Sequence, residues 1–149
     1  MESLTLDILT EIERISKSST CTRRQFCAII YDPFRGEIIS KGINHSKNQP
    51  LCGGQYCLRD KKGVKSGSNL SLGCIHAEAD AIQKALDLYK STYGLWLFIN
   101  GEPCLNCANL ILQNGLSRVF YKEGVYSSQE GVKLLQEKKV ELRPYTIQV

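Results

Sequence analysis

No apolar run in the sequence approaches the ~18 residues that a membrane-spanning helix needs. The opening Met1-Glu2-Ser3-Leu4 has neither the basic nor the apolar region of a secretory signal, so a cytoplasmic location is expected. Internal repeats and linker-like stretches are missing too, and 149 residues are expected to form one domain, 1–149, with a core of its own. Nor do lysines and arginines gather with aromatic residues into the basic, stacking groove that single-stranded nucleic acids require. The net charge of +4 comes from scattered residues and would suit a small anion at most. Cysteine runs the other way. Seven of them is many for a chain of this kind, and the odd count favours thiols and metal binding over a paired disulfide framework.

The residues that organise the chain are His76-Ala77-Glu78 and, further on, Pro103-Cys104-Leu105-Asn106-Cys107. Zinc prefers tetrahedral nitrogen and sulfur ligation, and a catalytic site leaves one of four positions to water, so three protein ligands are the number to seek. His76, Cys104 and Cys107 supply them. Pro103 suits the first position of a helix, where a missing N–H costs nothing, and this places the two cysteines one turn apart on one face. A helix N-terminus favours thiolate over thiol. Residues 75–90 also read as a helix, with Ala77, Ala81 and Leu88 at core spacing and His76 and Glu78 at its start. The two-residue offset points Glu78 beside the metal, a carboxylate free for proton transfer. The H-x-E…P-C-x-x-C pattern is the signature of zinc nucleobase deaminases.

Elsewhere the patterning is ordinary. Residues 3–17 place Leu4, Ile8, Ile12 and Ile15 on one helical stripe. Gln25 to Tyr31 and Glu37 to Lys41 read as two strands joined by Phe34-Arg35-Gly36, a hairpin. Residues 43–73 lose all periodicity, a loop long enough to be expected either functional or disordered. Strands are expected near 95–100, at 118–121 and at 140–145, alternating with helices from Cys104 to Gln113 and from Gln129 to Lys138, with Asn114-Gly115 stopping the first of these. Antiparallel hairpin plus βα alternation predicts an α/β/α architecture: a mixed five-stranded sheet with helices on both faces.

From about Ser19 to Tyr145 the sequence resembles the cytidine deaminase superfamily, and more narrowly the deoxycytidylate (dCMP) deaminases. Beyond the zinc motif, the likeness rests on Cys21-Thr22-Arg23-Arg24-Gln25 leading into the first strand, Gly42-Ile43-Asn44 closing the second, Cys52-Gly53 and Cys57-Leu58-Arg59 in the long loop, Val64, and Ser66-Gly67. Departures fall at Gly42-Ile43-Asn44-His45, where the family commonly has Gly-Tyr-Asn-Gly, at Cys27 for glycine, and at Asn100 for threonine. The resemblance implies hydrolytic deamination of a free cytosine nucleotide, dCMP to dUMP and ammonia, which would supply dUMP for dTMP synthesis. It also implies a homo-oligomer, a hexamer in the family, and Mg2+ only if a dCTP/dTTP allosteric site is kept.

It further suggests roles for particular residues. Glu78 would be the proton shuttle and Asn44 a contact to the nucleoside, with a plain turn asparagine as the alternative. Arg23 or Arg24 would hold the 5′-phosphate, arginine being suited to bidentate phosphate recognition. Tyr121 and Tyr126 are weaker candidates for phosphate or sugar. Cys21, Cys52 and Cys57, with His45 or Cys74 as fourth ligand, could bind a second, structural zinc; unligated thiols are the alternative. Two other classes stay open at this stage, a deaminase acting on bases within RNA or DNA and a non-catalytic zinc module. Glu78, dispensable for metal binding, argues against the second of these.

Overall fold

The computed structural model describes residues 3–19, 25–46, 74–125 and 128–146. Their elements, in order, are α1 (Ser3–Ser16), β1 (Cys27–Asp32), β2 (Glu37–Ile43), β3 (His45–Ser46), β4 (Cys74–Ile75), α2 (Ala77–Tyr89), β5 (Trp96–Ile99), α3 (Leu105–Gln113), β6 (Arg118–Lys122), α4 (Glu130–Glu137) and β7 (Glu141–Tyr145). Five strands form one sheet in the order β2-β1-β5-β6-β7. β1 is antiparallel to both β2 and β5, while β5, β6 and β7 run parallel. This is the mixed sheet that the sequence predicts. None of the described helices is long and apolar enough to cross a membrane.

Helices cover both faces, and the strands alternate accordingly. Cys27, Ile29 and Tyr31 of β1 pack with Phe98, Tyr145 and the α1 residues Ile8, Leu9 and Ile12. Ala28 and Ile30 turn to the opposite face, where they join Ala77, Ala81 and Ala85 of α2, Ala108 and Ile111 of α3, and Val132 and Leu135 of α4. β1 is therefore buried along its whole length, a near-continuous apolar run for a strand covered twice.

The hairpin turn is built by Asp32, whose Oδ1 accepts from the N–H groups of Phe34 (2.8 Å) and Arg35 (3.2 Å). Gly36 completes it at φ 69°. At the other end of β1, two departures from the family pattern meet: the Cys27 N–H donates to Asn100 Oδ1 at 2.9 Å, and Asn100 Nδ2 donates to Gln25 O at 3.2 Å. The Asn100 side chain thereby continues the β1–β5 pairing one step past the last strand residue, Ile99.

Three expectations need correction. Leu88 is 67% exposed, not core. Residues 87–91 are all exposed, so the last turn of α2 runs past the elements it packs on, and the buried face is Ala77, Ala81, Ile82 and Ala85. Pro103 does not begin a helix: α3 starts at Leu105, and Cys104 is its N-cap in extended conformation (φ −72°, ψ 170°). The aperiodic stretch from residue 43 opens and closes on a short antiparallel ladder, His45 against Ile75 and Ser46 against Cys74, between which residues 47–73 lie outside the described residues.

Candidate active site

Two helix N-termini and the C-terminal end of a parallel strand converge here, the usual crevice of an open α/β sheet. β5 ends at Ile99, and the chain passes through residues 100–103 to Cys104 at the start of α3. His76 is the N-cap of α2 (φ −76°, ψ 152°), with Ala77 and Glu78 in the first turn. Gly42 lets β2 lie almost in contact with that turn, since a Cβ there would come within 2.4 Å of Ala81 N and 2.5 Å of Ala77 O. α2 is thereby held at the height that brings its first turn to the cysteines.

His76 Nδ1 lies 3.5 Å from Cys104 Sγ and 3.4 Å from Cys107 Sγ. Among the described residues these three form the one group of its kind, with all donor atoms within 4.8 Å of one another. Zinc bonds of about 2.3 Å to sulfur and 2.0–2.1 Å to nitrogen at a tetrahedral angle separate nitrogen from sulfur by about 3.5 Å, so the donor set and its spacing fit zinc. The cysteines are buried and His76 is half-buried, which leaves the solvent side open. Cys104 Sγ accepts from the Cys107 N–H at 3.4 Å, as a capping serine oxygen would.

The protons are distributed unequally. The Cys104 thiol is drawn down to about 4, chiefly by a hydrogen bond from Cys107, with help from His76. Cys107 moves the opposite way because it supplies that bond, is buried, and faces Glu78. The pair thus favours a thiolate at one of its two sulfurs. Glu78, only 5% exposed, is pushed up to about 7 by burial and by the Cys104 charge, with His76 pulling against both. A carboxyl that titrates near neutrality beside a metal-ligand group is equipped to take and return a proton.

Other candidates are placed less decisively. Asn44 Oδ1 accepts from the Phe26 N–H (2.8 Å) and from Ser19 Oγ (2.7 Å), which braces the entry to β1 against the exit of β2. Tyr121 is buried in the larger core, and burial, with Glu123 and Glu102 adding, raises its phenol. His45 Nε2 stands 3.6 Å from Asp80 Oδ1. The side chain of Cys74, and Cys21, Arg23, Arg24, Cys52, Cys57 and Tyr126 entirely, lie outside the described residues. Sequence reasoning missed Asp80, which ties the end of β2 to α2 by accepting from the Ile43 N–H at 3.1 Å and from Lys84 Nζ at 3.0 Å. An acid in a first helical turn reads as a dipole partner, and nothing in the pattern names its distant donor. Glu102 was missed in the same way.

Known proteins resemble this arrangement along most of the chain. Residues 5–123 match the family described as the cytidine and deoxycytidylate deaminase zinc-binding region. A deoxycytidylate deaminase of Saccharomyces cerevisiae is 26% identical over 132 residues, 88% of this chain and 41% of its own length. The chain therefore spans less than half of that relative. A deoxycytidylate deaminase of Mycobacterium phage D29 is 30% identical over 115 residues, 71% of this chain and 84% of its own. The crystal structure of dCMP deaminase from the cyanophage S-TIM5, in complex with dCMP and dUMP, superposes with a TM-score of 0.80 at 25% identity, covering 97% of this chain and 99% of that one. With a zinc-fitting His76-Cys104-Cys107 group, a buried Glu78 beside it and a family match over residues 5–123, the chain belongs to the cytidine and deoxycytidylate deaminase family.

Proposed function

We propose that this chain is a hydrolytic deaminase of a free cytosine nucleotide, converting dCMP and water to dUMP and ammonia, with the single domain 1–149 carrying the activity. The observation that bears most weight is Glu78: a metal needs only His76, Cys104 and Cys107, yet a buried carboxyl with its pKa near 7 stands next to them. The choice of dCMP is supported by kinship with proteins named deoxycytidylate deaminase, one of which was crystallised with dCMP and dUMP.

His76, Cys104 and Cys107 would hold zinc, which when bound supplies Lewis-acid chemistry that makes water nucleophilic near neutral pH. Glu78 then takes a proton from the attacking water and delivers it to N3 of the ring as oxygen adds to C4. It next carries a second proton to the departing amine, so that ammonia leaves and the C4 carbonyl remains. The dry setting of the carboxyl keeps both of its protonation states accessible at neutral pH. Asn44 meets the sugar and Arg23 or Arg24 the phosphate, with Tyr121 a weaker candidate for either because it is buried in the core. Cys21, Cys52 and Cys57, with His45 or Cys74 as fourth ligand, would hold a second, structural zinc. The enzyme works in the cytoplasm as a homo-oligomer and supplies dUMP for dTMP synthesis.

Ammonia release from dCMP, dCTP, cytidine, deoxycytidine and single-stranded DNA tests the assignment directly. The expected order puts dCMP first. Preference for the nucleoside or for DNA would overturn the substrate, and no release from any of them would overturn the enzyme.

A further inference from the structure

Glu102 has no part in the chemistry above, yet it is a carboxylate only 3% exposed, two residues before Cys104. A buried carboxylate is unfavourable unless donors replace the water it loses. Among the described residues, its donors come from one place. Glu102 Oε2 accepts from the Gly124 N–H at 3.1 Å and from Gln129 Nε2 at 2.9 Å, and Oε1 accepts from the Val125 N–H at 2.9 Å. All three belong to the connection between β6 and α4.

That connection leads straight back to the metal ligands. Gly131, in the first turn of α4, is seated so tightly that a Cβ would meet Pro103 O at 2.1 Å and Cys104 O at 2.7 Å. The backbone of α4 therefore rests on the peptide that presents Cys104. Cys104, the extended N-cap of α3, is tied to that helix by its carbonyl, which accepts from the Ala108 N–H at 2.8 Å, and by its sulfur, so whatever seats the Pro103–Cys104 peptide also sets where α3 and its two cysteines begin. Glu102 grips the connection from one side while Gly131 presses on Pro103 and Cys104 from the other.

From this closed arrangement we infer that Glu102 is a positioning residue for the metal centre: by fixing the β6–α4 connection it seats α4 under Cys104 and keeps that sulfur in register with His76. The inference rests on the zinc reading of the site. Groups bonded directly to metal ligands typically change metal affinity by roughly 10- to 100-fold when lost, and Glu102, one step further out, belongs at the low end of that range. The experiment measures zinc release from folded protein to a chromogenic chelator in wild type, Glu102→Gln, Gln129→Ala and a control, Thr92→Ala, which loses a hydrogen bond to Asn114 O (2.8 Å) at the far end of α3. Release should be about tenfold faster in Glu102→Gln and measurably faster in Gln129→Ala, with the control unchanged at a similar loss of Tm. Wild-type release in a folded Glu102→Gln, or equal acceleration in the control, would overturn the inference. If Glu102→Gln does not fold, Gln129→Ala decides, and wild-type release from it overturns the inference as well. Wild type that binds no zinc at all would instead sink the reading of the site.

Discussion

Burial makes a carboxyl a poor anion, and at Glu78 the Cys104 charge adds to that effect while His76 opposes both. With its pKa lifted from 4.5 to about 7, Glu78 is neither committed to the proton nor reluctant to hold it at neutral pH. Glu78→Gln fills the same volume but cannot shuttle protons, so turnover should fall at least ~100-fold while zinc stays bound; retention of more than about a tenth of the wild-type rate would remove Glu78 from the mechanism. The same variant reads the burial energetically. The metal-free fold binds this proton more tightly than the unfolded chain does. The stability Glu78 contributes is therefore complete below about pH 4.5 and lost as pH rises through 7. Cys104, drawn down to about 4, works in the opposite sense, so total stability is not diagnostic. The difference between metal-free Glu78→Gln and metal-free wild type is. It should grow in favour of the variant from pH 5 to pH 8 by on the order of 2–3 kcal/mol in urea unfolding, and a pH-independent gap would contradict the burial argument. At this scale the clustering of His76, Cys104 and Cys107 was legible, because metal chemistry demands particular residue types at fixed spacing. Asp80 and Glu102 were not, because an acid's distant backbone donors leave no trace in local pattern.

Elements were legible where one period dominated. The α1 stripe, the first hairpin and the βα alternation after residue 95 declare themselves by spacing, and their register follows from which face is buried. Helix starts were less so. A proline followed by cysteine reads as the first turn, yet the backbone is still extended at Cys104, which stands as the N-cap with its sulfur accepting from the Cys107 N–H. Leu88 misleads for a different reason: helical periodicity continues after the packing surface has ended. Gly42 illustrates what pattern cannot convey, since in sequence it only marks the end of a strand. In the fold it is the contact that lets α2 settle against β2, backbone to backbone, with no side chain able to move aside. Gly42→Ala should therefore destabilise by about 1–3 kcal/mol, the usual range for overpacking. It should also lower turnover, since the displaced turn carries Glu78. Urea denaturation with a parallel rate assay checks both. A variant with wild-type stability would mean that β2 and α2 part easily and that the close approach does not set the height of the site.

For the whole molecule, the first hairpin together with the alternation of strand and helix was enough to give the mixed sheet, and the sheet brings the His76-Cys104-Cys107 cluster to the carboxyl end of β5, between the N-termini of α2 and α3. What neither alternation nor motif determines is the far end of the substrate. If the substrate is dCMP, its phosphate carries charge that the base and sugar lack, and the adjacent Arg23 and Arg24 offer the most compact positive charge close to the entry of β1. Charge-assisted hydrogen bonds to phosphate are worth ~1.5–3 kcal/mol each, so replacing the true ligand by alanine should reduce kcat/KM for dCMP roughly ten- to a hundredfold. Deoxycytidine, with no phosphate to hold, should lose almost nothing. Because screening weakens attraction to a small anion, activity on dCMP should also fall with ionic strength more steeply than activity on deoxycytidine. Steady-state kinetics of Arg23→Ala and Arg24→Ala on the two substrates at low and high salt separate the cases. If both variants discriminate between dCMP and deoxycytidine as wild type does, the phosphate is held elsewhere. If salt affects the two substrates alike in wild type, the phosphate contributes no steering, and the preference for a nucleotide must then rest on contacts at the base and sugar.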